Sequence, residues 1–359
     1  MNANTCTHLG ALIPAHHDGP RARALAVALL AAADRCATPV TIVVADNGEN
    51  DGFDGGLPED ARRRVVTVTE RGPGYARSAA ARRLVDTWQD QSIDLDHAWI
   101  ISLDADTVIP PDFLAAWVAT IKTAAADILS GHSILGALPG DEVLEGDVAA
   151  ASSWLWGGAS FLEQFAGIVN VGGCNHAVRA SVCAANDYYL QPLLLSDSGP
   201  VLVPGDDWDF GLRGRLRGFT VARAETPTCI TSVRRITNDP AGFLAGRTYE
   251  KAFAPVTDPK RATPWPPDED WAAMADKGRT RIVTHFLLKP VVAGLAVSPT
   301  LGWFLGESLW QELIAAPVTL SVPSAPWQSY RAALIDRLFQ PDAVNLARRI
   351  SHRLLGVGA

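Results

Sequence analysis

The sequence predicts an α/β fold, a mostly parallel sheet flanked by helices, and three observations predict it. Short apolar runs alternate with longer helical patterns through the first half of the chain. The runs are rich in aliphatic and β-branched residues, as in Val40 to Ala45. Three of them end in polar or special residues, at Pro14-Ala15-His16-His17-Asp18, at Asp46-Asn47-Gly48 and at Asp104-Ala105-Asp106. Ligands of open α/β sheets bind outside the carboxyl ends of the strands, so this pattern places several carboxylates along one rim.

The elements follow in order. Leu9 to Ile13 reads as the first strand. Pro20 to Cys36 reads as a helix, with Pro20 in its first turn and Leu25, Leu29 and Ala33 at helical spacing. Val40 to Ala45 and Val65 to Thr69 are the second and third strands, and Gly74 to Trp88 is helical in composition. Ala98 to Leu103 is the fourth strand, and Pro110 to Ala126 is a helix with two prolines at its start. Beyond about residue 130 the signal is less regular. Gly172-Gly173-Cys174-Asn175 reads as a tight turn. Gly205-Asp206-Asp207-Trp208-Asp209 precedes a helix ending near Gly218, and Thr220 to Ala222 is a short strand. A proline-rich joint, Pro255 to Pro267, separates a mainly helical C-terminal segment. The expected division is one domain over residues 1–254 and an extension over 255–359.

Composition narrows the function. The chain has 359 residues, 48% of them hydrophobic and 19% charged, enough for one large α/β domain and an extension. A formal net charge of -8 argues against a general nucleic-acid binder. The five cysteines include no CxxC pair and read as free thiols of a reducing compartment. The start of the chain lacks a signal-peptide pattern. Val291 to Leu305, broken by Gly294, Pro299 and Gly302, is too short and interrupted for a bilayer span. These features predict a cytoplasmic protein. The basic tail with Arg348, Arg349 and Arg353 is compatible with peripheral membrane contact or a homodimer, beside the plainer reading of a helical cap.

Four constellations carry chemistry. Asp104 and Asp106 place two carboxylates close together at a strand end, and such a pair favours a cation. Their hard oxygens suit Mg²⁺ or Mn²⁺, which complete their shells with phosphate oxygens. The same two acids could also cap a turn and the next helix. Asp46 could accept hydrogen bonds from a base or ribose, or serve an ordinary Asn-Gly turn through Asn47 and Gly48. Gly72-Pro73-Gly74-Tyr75-Ala76-Arg77 opens a helix whose N-terminus favours an anion. It fails as a dinucleotide fingerprint, because it follows the third strand and has Arg77 in place of the last glycine. Asp206 and Asp207, before a helix, read either as N-caps or as a general base for an attacking hydroxyl. Arg234 and Arg235 are weaker candidates for a phosphate clamp. His176 and His285 read more naturally as satisfied core or surface histidines.

Taken in order, these segments resemble the family 2 glycosyltransferases of GT-A fold, over roughly residues 9 to 236. Ile13-Pro14-Ala15-His16-His17-Asp18 is similar to the opening motif, with His17-Asp18 where Asn-Glu is more common. Asp46 to Gly52 resembles the Asp-x-Ser-x-Asp-Gly region. Gly72 to Ser78 resembles a Gly-x-Gly-x-Ala-Arg-Asn segment, with Ser78 for Asn. Asp104-Ala105-Asp106 matches the metal motif, and Gly173-Cys174-Asn175-His176-Ala177-Val178-Arg179 is similar to Gly-x-Asn-x-Ala-x-Arg. Gly205 to Arg213 resembles the Glu-Asp motif, with Asp206 in the Glu position.

The resemblance implies transfer of a sugar from a nucleoside-diphosphate sugar to an acceptor hydroxyl, with Mn²⁺ or Mg²⁺ as cofactor. It implies that Asp46 reads the nucleobase, Asp104 sits near the ribose, Asp106 binds the metal with Asp104 beside it, and Arg77 supports the nucleotide pocket. Pro14, Ala15, His16, Asp18, Asn47, Gly74, Ala105, Gly173 and Asn175 complete that pocket. Asp207, with Asp206 beside it, would be the base of an inverting single displacement. A retaining GT-A enzyme and a non-catalytic nucleotide-sugar-binding relative are the alternatives. The sugar, base, acceptor and oligomeric state are not encoded in these motifs.

Overall fold

A computed structural model describes residues 5–48, 59–141, 169, 171–190, 193–196, 199–202 and 206–237. The elements in chain order are β1 (His8–Ala15), α1 (Gly19–Ala33), β2 (Val40–Asp46), β3 (Arg63–Thr67), α2 (Pro73–Asp90), β4 (Ala98–Ser102), β5 (Thr107–Val108), α3 (Phe113–Thr123), β6 (Ile128–Gly136), β7 (His176–Arg179), α4 (Ala180–Ala185), β8 (Leu193–Ser196), β9 (Gly199–Leu202), α5 (Asp206–Leu216), β10 (Val221–Ser232) and α6 (Arg234–Thr237).

The chain divides into two compact units. The first comprises Met1–Asp141, Val169–Pro192 and Pro204–Val233; the second comprises Glu142–Ile168, Leu193–Val203 and Arg234–Ala359. Of the second, only the β8–β9 hairpin and the single turn α6 lie among the described residues. The helical readings for Pro255 onward, the Val291 to Leu305 stretch and the basic tail fall outside the described residues. Among the described residues no helix is long and apolar enough to cross a membrane.

The first unit is built on an eight-stranded sheet in the order β3-β2-β1-β4-β7-β6-β10-β5. The β3-β2-β1-β4 half is parallel throughout. β7 runs antiparallel to both of its neighbours, and β5 is antiparallel to β10.

The central strands bury both faces, and their side chains alternate with period two. Leu9, Ala11, Ile13, Ile42, Val44, Trp99 and Ile101 face one way. They pack against α1 through Leu25, Ala26 and Leu29, and against α3 through Leu114, Trp117 and Ile121. Leu12, Val43, Ala45, Ala98 and Ile100 face the other way, onto α2 and α4. α2 offers Ala76, Ala80, Leu84 and Trp88 at four-residue spacing, which forms one stripe along a helix. The result is helix, sheet, helix.

Close packing on the α2 face leaves no room at Gly10. A Cβ there would lie 2.7 Å from Leu84 Cδ1 and 2.8 Å from Trp88 Cη2. Gly10→Ala is therefore expected to destabilise the unit by about 1–3 kcal/mol through overpacking, checked by urea unfolding of the two proteins side by side.

The structure corrects several boundaries. The third helix begins at Phe113, not Pro110, because the prolines form a turn and Asp112 takes the N-cap position. The short strand expected over Thr220 to Ala222 is the start of β10, twelve residues long. Pro227 reads as a strand breaker in sequence. The pairing with β6 accommodates it by a register shift between Ala224 and Thr228. Asp206 and Asp207 lie inside the first turn of α5 rather than before it.

Candidate active site

Adjacency in the sheet explains why three polar segments share one rim. β2, β1 and β4 are parallel neighbours, so Asp46, Pro14 to Asp18 and Asp104 to Asp106 leave the sheet at the same edge. The β4 end is pinned tightly. Leu103 N–H donates to the Leu12 carbonyl, and Thr107 N–H closes a turn onto the Asp104 carbonyl at 3.1 Å. The Asp106 carbonyl accepts the Ser232 N–H from β10, also at 3.1 Å. Ala105 and Asp106 are buried, and the Asp104 side chain is about a quarter exposed (23%).

Arg77, from α2, is the hub. Its side chain is buried (4% exposed), and its guanidinium is paired with Asp104 from the β4 end and Asp206 from α5. Nε donates to Ser102 Oγ at 3.2 Å, and that hydroxyl lies 3.3 Å from the Gly173 carbonyl, to which it donates. Asp207 completes the cluster by accepting the Gly173 N–H at Oδ2, 2.6 Å away. The expected tight turn is present, closed by Asn175 N–H to the Gly172 carbonyl. Gly173 must be glycine for lack of space. A Cβ would come within 2.9 Å of Arg77 Cζ and 3.1 Å of Asp207 Oδ2.

The electrostatics follow from three carboxylates facing one buried guanidinium. Burial opposes the Arg77 charge, but Asp206, Asp104 and Asp207 outweigh it and hold the cation well above the usual arginine range. Asp206 moves the other way. Burial pushes its carboxyl up to about 6; Arg77 opposes that and neighbouring Asp207 adds to it. The folded state therefore binds a proton at Asp206 that the unfolded chain releases near 3.8. The stability from this group is complete below about pH 4 and is lost as pH rises through 6. Measured by urea unfolding, the stability of wild type relative to Asp206→Asn should fall by up to about 3 kcal/mol between pH 4 and pH 7. A flat difference would remove the raised carboxyl from the picture.

The remaining expected residues take different positions. Asp18 occupies the N-cap position of α1, and its carbonyl accepts the Arg21 and Ala22 N–H groups. Asp46 accepts the Gly48 N–H at 3.0 Å, the ordinary turn use of that residue. The Asn47 amide is engaged inside the protein. It donates to the Val68 and Glu70 carbonyls and accepts the Gly72 N–H. Gly72 sits at φ 138°, a conformation that favours glycine, and it leads into Gly74, buried in the first turn of α2. His16 is exposed, and its Nδ1 lies 2.9 Å from the Asn47 carbonyl, which fixes the proton on that nitrogen. Pro14 is half-buried, while Ala15 is buried and gives its carbonyl to Asn47 N–H.

Asn175 stands apart from the rim. It is buried, accepts from Trp117 Nε1, and donates to the His132 and Pro227 carbonyls. With its amide so used, it braces α3, β6 and β10. Arg234 belongs to the second unit, and the Arg235 side chain and His285 lie outside the described residues.

Ser102 and Tyr189 are the network residues that sequence reasoning passed over. No spacing rule links them to Arg77 or Asp207: Ser102 reaches Arg77 from β4, and Tyr189 is tied in through His176. Among the described residues, no three His, Cys, Asp or Glu side chains gather as a metal cage.

Residues 11–181 match the family model described as Glycosyl transferase family 2. This stretch belongs to the family 2 glycosyltransferases. The match takes in β1 to β7 and the start of α4, and so includes Arg77 and Asp104 to Asp106, while Asp206 and Asp207 lie beyond it. The sheet of this glycosyltransferase is the GT-A arrangement expected from the motifs. Among solved structures, it is similar to S. aureus TarS 1-349 in complex with UDP, at 13% identity, covering 98% of this chain and 92% of that one, TM-score 0.40. It is also similar to the mannosyltransferase PcManGT from Pyrobaculum calidifontis in complex with GDP-Man and Mn2+, at 13% identity, covering 97% and 86%, TM-score 0.43. A third is glucosyl-3-phosphoglycerate synthase from Mycobacterium tuberculosis with Mn2+ and UDP-Glc, at 15% identity, covering 64% and 70%, TM-score 0.33. No curated protein matches the sequence.

Proposed function

We propose that this glycosyltransferase moves a sugar from a nucleoside-diphosphate sugar to an acceptor hydroxyl by a metal-dependent, inverting single displacement. The observation that carries the reading is the Arg77 cluster. One buried guanidinium gathers Asp104 from the β4 end and Asp206 from α5, and brings Asp207 beside them.

The cluster has an excess of negative charge, which a divalent cation and its diphosphate would balance. Two carboxylates on one tight turn, Asp104 and Asp106, suit Mg²⁺ or Mn²⁺, whose other ligands are water and phosphate oxygens. The donor set therefore fits, with Asp106 as the principal ligand. A bound metal would offset charge on the departing diphosphate.

The chain's own residues supply the rest. Asp46 and His16, at the β2 and β1 ends, would meet the nucleoside side of the donor. Arg77 keeps Asp206 and Asp104 in place. Asp207, its Oδ2 held by the Gly173 N–H, takes the proton of the attacking hydroxyl. Asp206, buried against Arg77, is the counter-ion rather than the base. The domain reading carries forward here as residues 1–254 for the transferase and 255–359 for an extension.

The test is thermal stabilisation and donor hydrolysis with UDP-GlcNAc, UDP-Glc and GDP-Man, in Mn²⁺, Mg²⁺ or EDTA, on wild type and Asp106→Ala. The expected result is stabilisation by one donor that needs the metal and disappears in the variant. Anomeric analysis of the product then reads inversion. Stabilisation undiminished by EDTA would remove the metal from the proposal.

A further inference from the structure

We infer that His176 is a positioning residue for Asp207, acting through the Gly172–Gly173 peptide. The inference rests on the reading of Asp207 as the base and adds the device that orients it.

His176 opens β7, is fully buried, and both ring nitrogens are engaged. Nδ1 lies 2.8 Å from the Gly172 carbonyl. A carbonyl only accepts, so Nδ1 carries the proton and donates. Nε2 is then the bare nitrogen and accepts the Tyr189 hydroxyl at 2.6 Å. Tyr189 is buried too and stacks on Phe210 of α5, with ring centroids 4.5 Å apart. The Gly172 carbonyl thus fixes the tautomer, and the Tyr189 hydroxyl, donating to Nε2, holds the ring in place.

That carbonyl and the Gly173 N–H belong to the same peptide plane. Pinning one end of the plane aims the other, and the aimed end donates to Asp207 Oδ2 at 2.6 Å. Ser102 Oγ, donating to the next carbonyl, that of Gly173, supplies a second hold. A glycine pair has no side chain to limit its rotation, so the orientation must come from such outside bonds. Burial keeps the imidazole neutral, its proton affinity down to about 4, with the nearby Arg77 charge acting the same way and the Gly172 bond opposing. The ring therefore stays neutral across the working range, and the Gly172 carbonyl keeps its proton on Nδ1.

The substitution series separates orientation from packing. Asparagine places its amide nitrogen where Nδ1 stands and can still donate to Gly172. Glutamine is nearer histidine in volume but reaches toward the Nε2 position. Leucine fills space and donates nothing. The readouts are the Gly173 amide resonance in ¹⁵N-glycine-labelled full-length protein, identified by its shift in Asp207→Asn, and steady-state hydrolysis of whichever donor stabilises the wild type.

His176→Asn should keep the downfield Gly173 resonance and most of kcat. His176→Gln and His176→Leu should lose both, with kcat down about 10- to 100-fold and donor KM little changed. Tyr189→Phe, which deletes only the hydroxyl, should shift Gly173 in the same direction and covers the case in which a His176 variant does not fold. A Gly173 resonance unmoved in the glutamine and leucine variants, or activities ranked by side-chain volume with glutamine above asparagine, overturns the inference. Should no donor turn over in wild type, the catalytic reading fails while the Gly173 resonance still decides the positioning role.

Discussion

Arg77→Met is expected to lower the unfolding free energy by about 3–5 kcal/mol at pH 8 and to abolish donor-dependent stabilisation. Methionine replaces most of the apolar stem, so the loss is mainly electrostatic. Without the guanidinium, Asp206 is a buried carboxylate beside Asp207 with its cation gone. Protonation is its escape, and the wild-type carboxyl already stands at about 6. The deficit should therefore shrink at pH 5, where the side chain is neutral in both proteins, and grow as the pH rises. Urea unfolding of the pair at pH 5 and pH 8 measures this. A deficit equal at both pH values would mean the arginine acts by packing alone.

Asp207→Asn is expected to cut kcat for donor hydrolysis by about 10²- to 10⁴-fold while leaving donor binding intact. The amide keeps the shape and can still accept the Gly173 N–H through its oxygen, but it cannot take a proton. Comparison of initial rates with thermal stabilisation by the same donor separates the two effects. A variant that binds and turns over like wild type would leave Asp207 as a brace of the Gly173 turn and return the search for the base to the rim. Asp206→Asn makes the useful contrast, since its main signature is the changed pH dependence of stability.

The parallel half of the sheet was legible because β1, β2 and β4 are buried on both faces. Such strands read as unbroken apolar runs, and their helices show a regular stripe, as at Ala76, Ala80, Leu84 and Trp88. The later half was not. β6 passes from buried Ile128 and Leu129 to half-open positions, and β10 carries Pro227 in its middle, so neither shows a clean period. The rim acids were visible as strand-end carboxylates. What each acid touches was not, because Arg77 meets Asp206 across 129 positions and only the folded sheet brings them together. Asn47 and Asn175 show the opposite limit: motif matching marked them for ligand, and the structure shows their amides engaged by backbone and indole.

The late arrival of β10 has a consequence for how the rim is made. Among the described residues β5, the strand that follows Asp106, pairs in the sheet only with β10, and the Asp106 carbonyl accepts the Ser232 N–H. A chain growing from its N-terminus therefore has every strand of its parallel half about 100 residues before Asp206 exists to join Asp104 on Arg77. Such long-range closure is slow relative to local helix formation. Assembly of the carboxylate turn then follows the pairing of the parallel half, and a molecule whose rim is complete has also inserted β10.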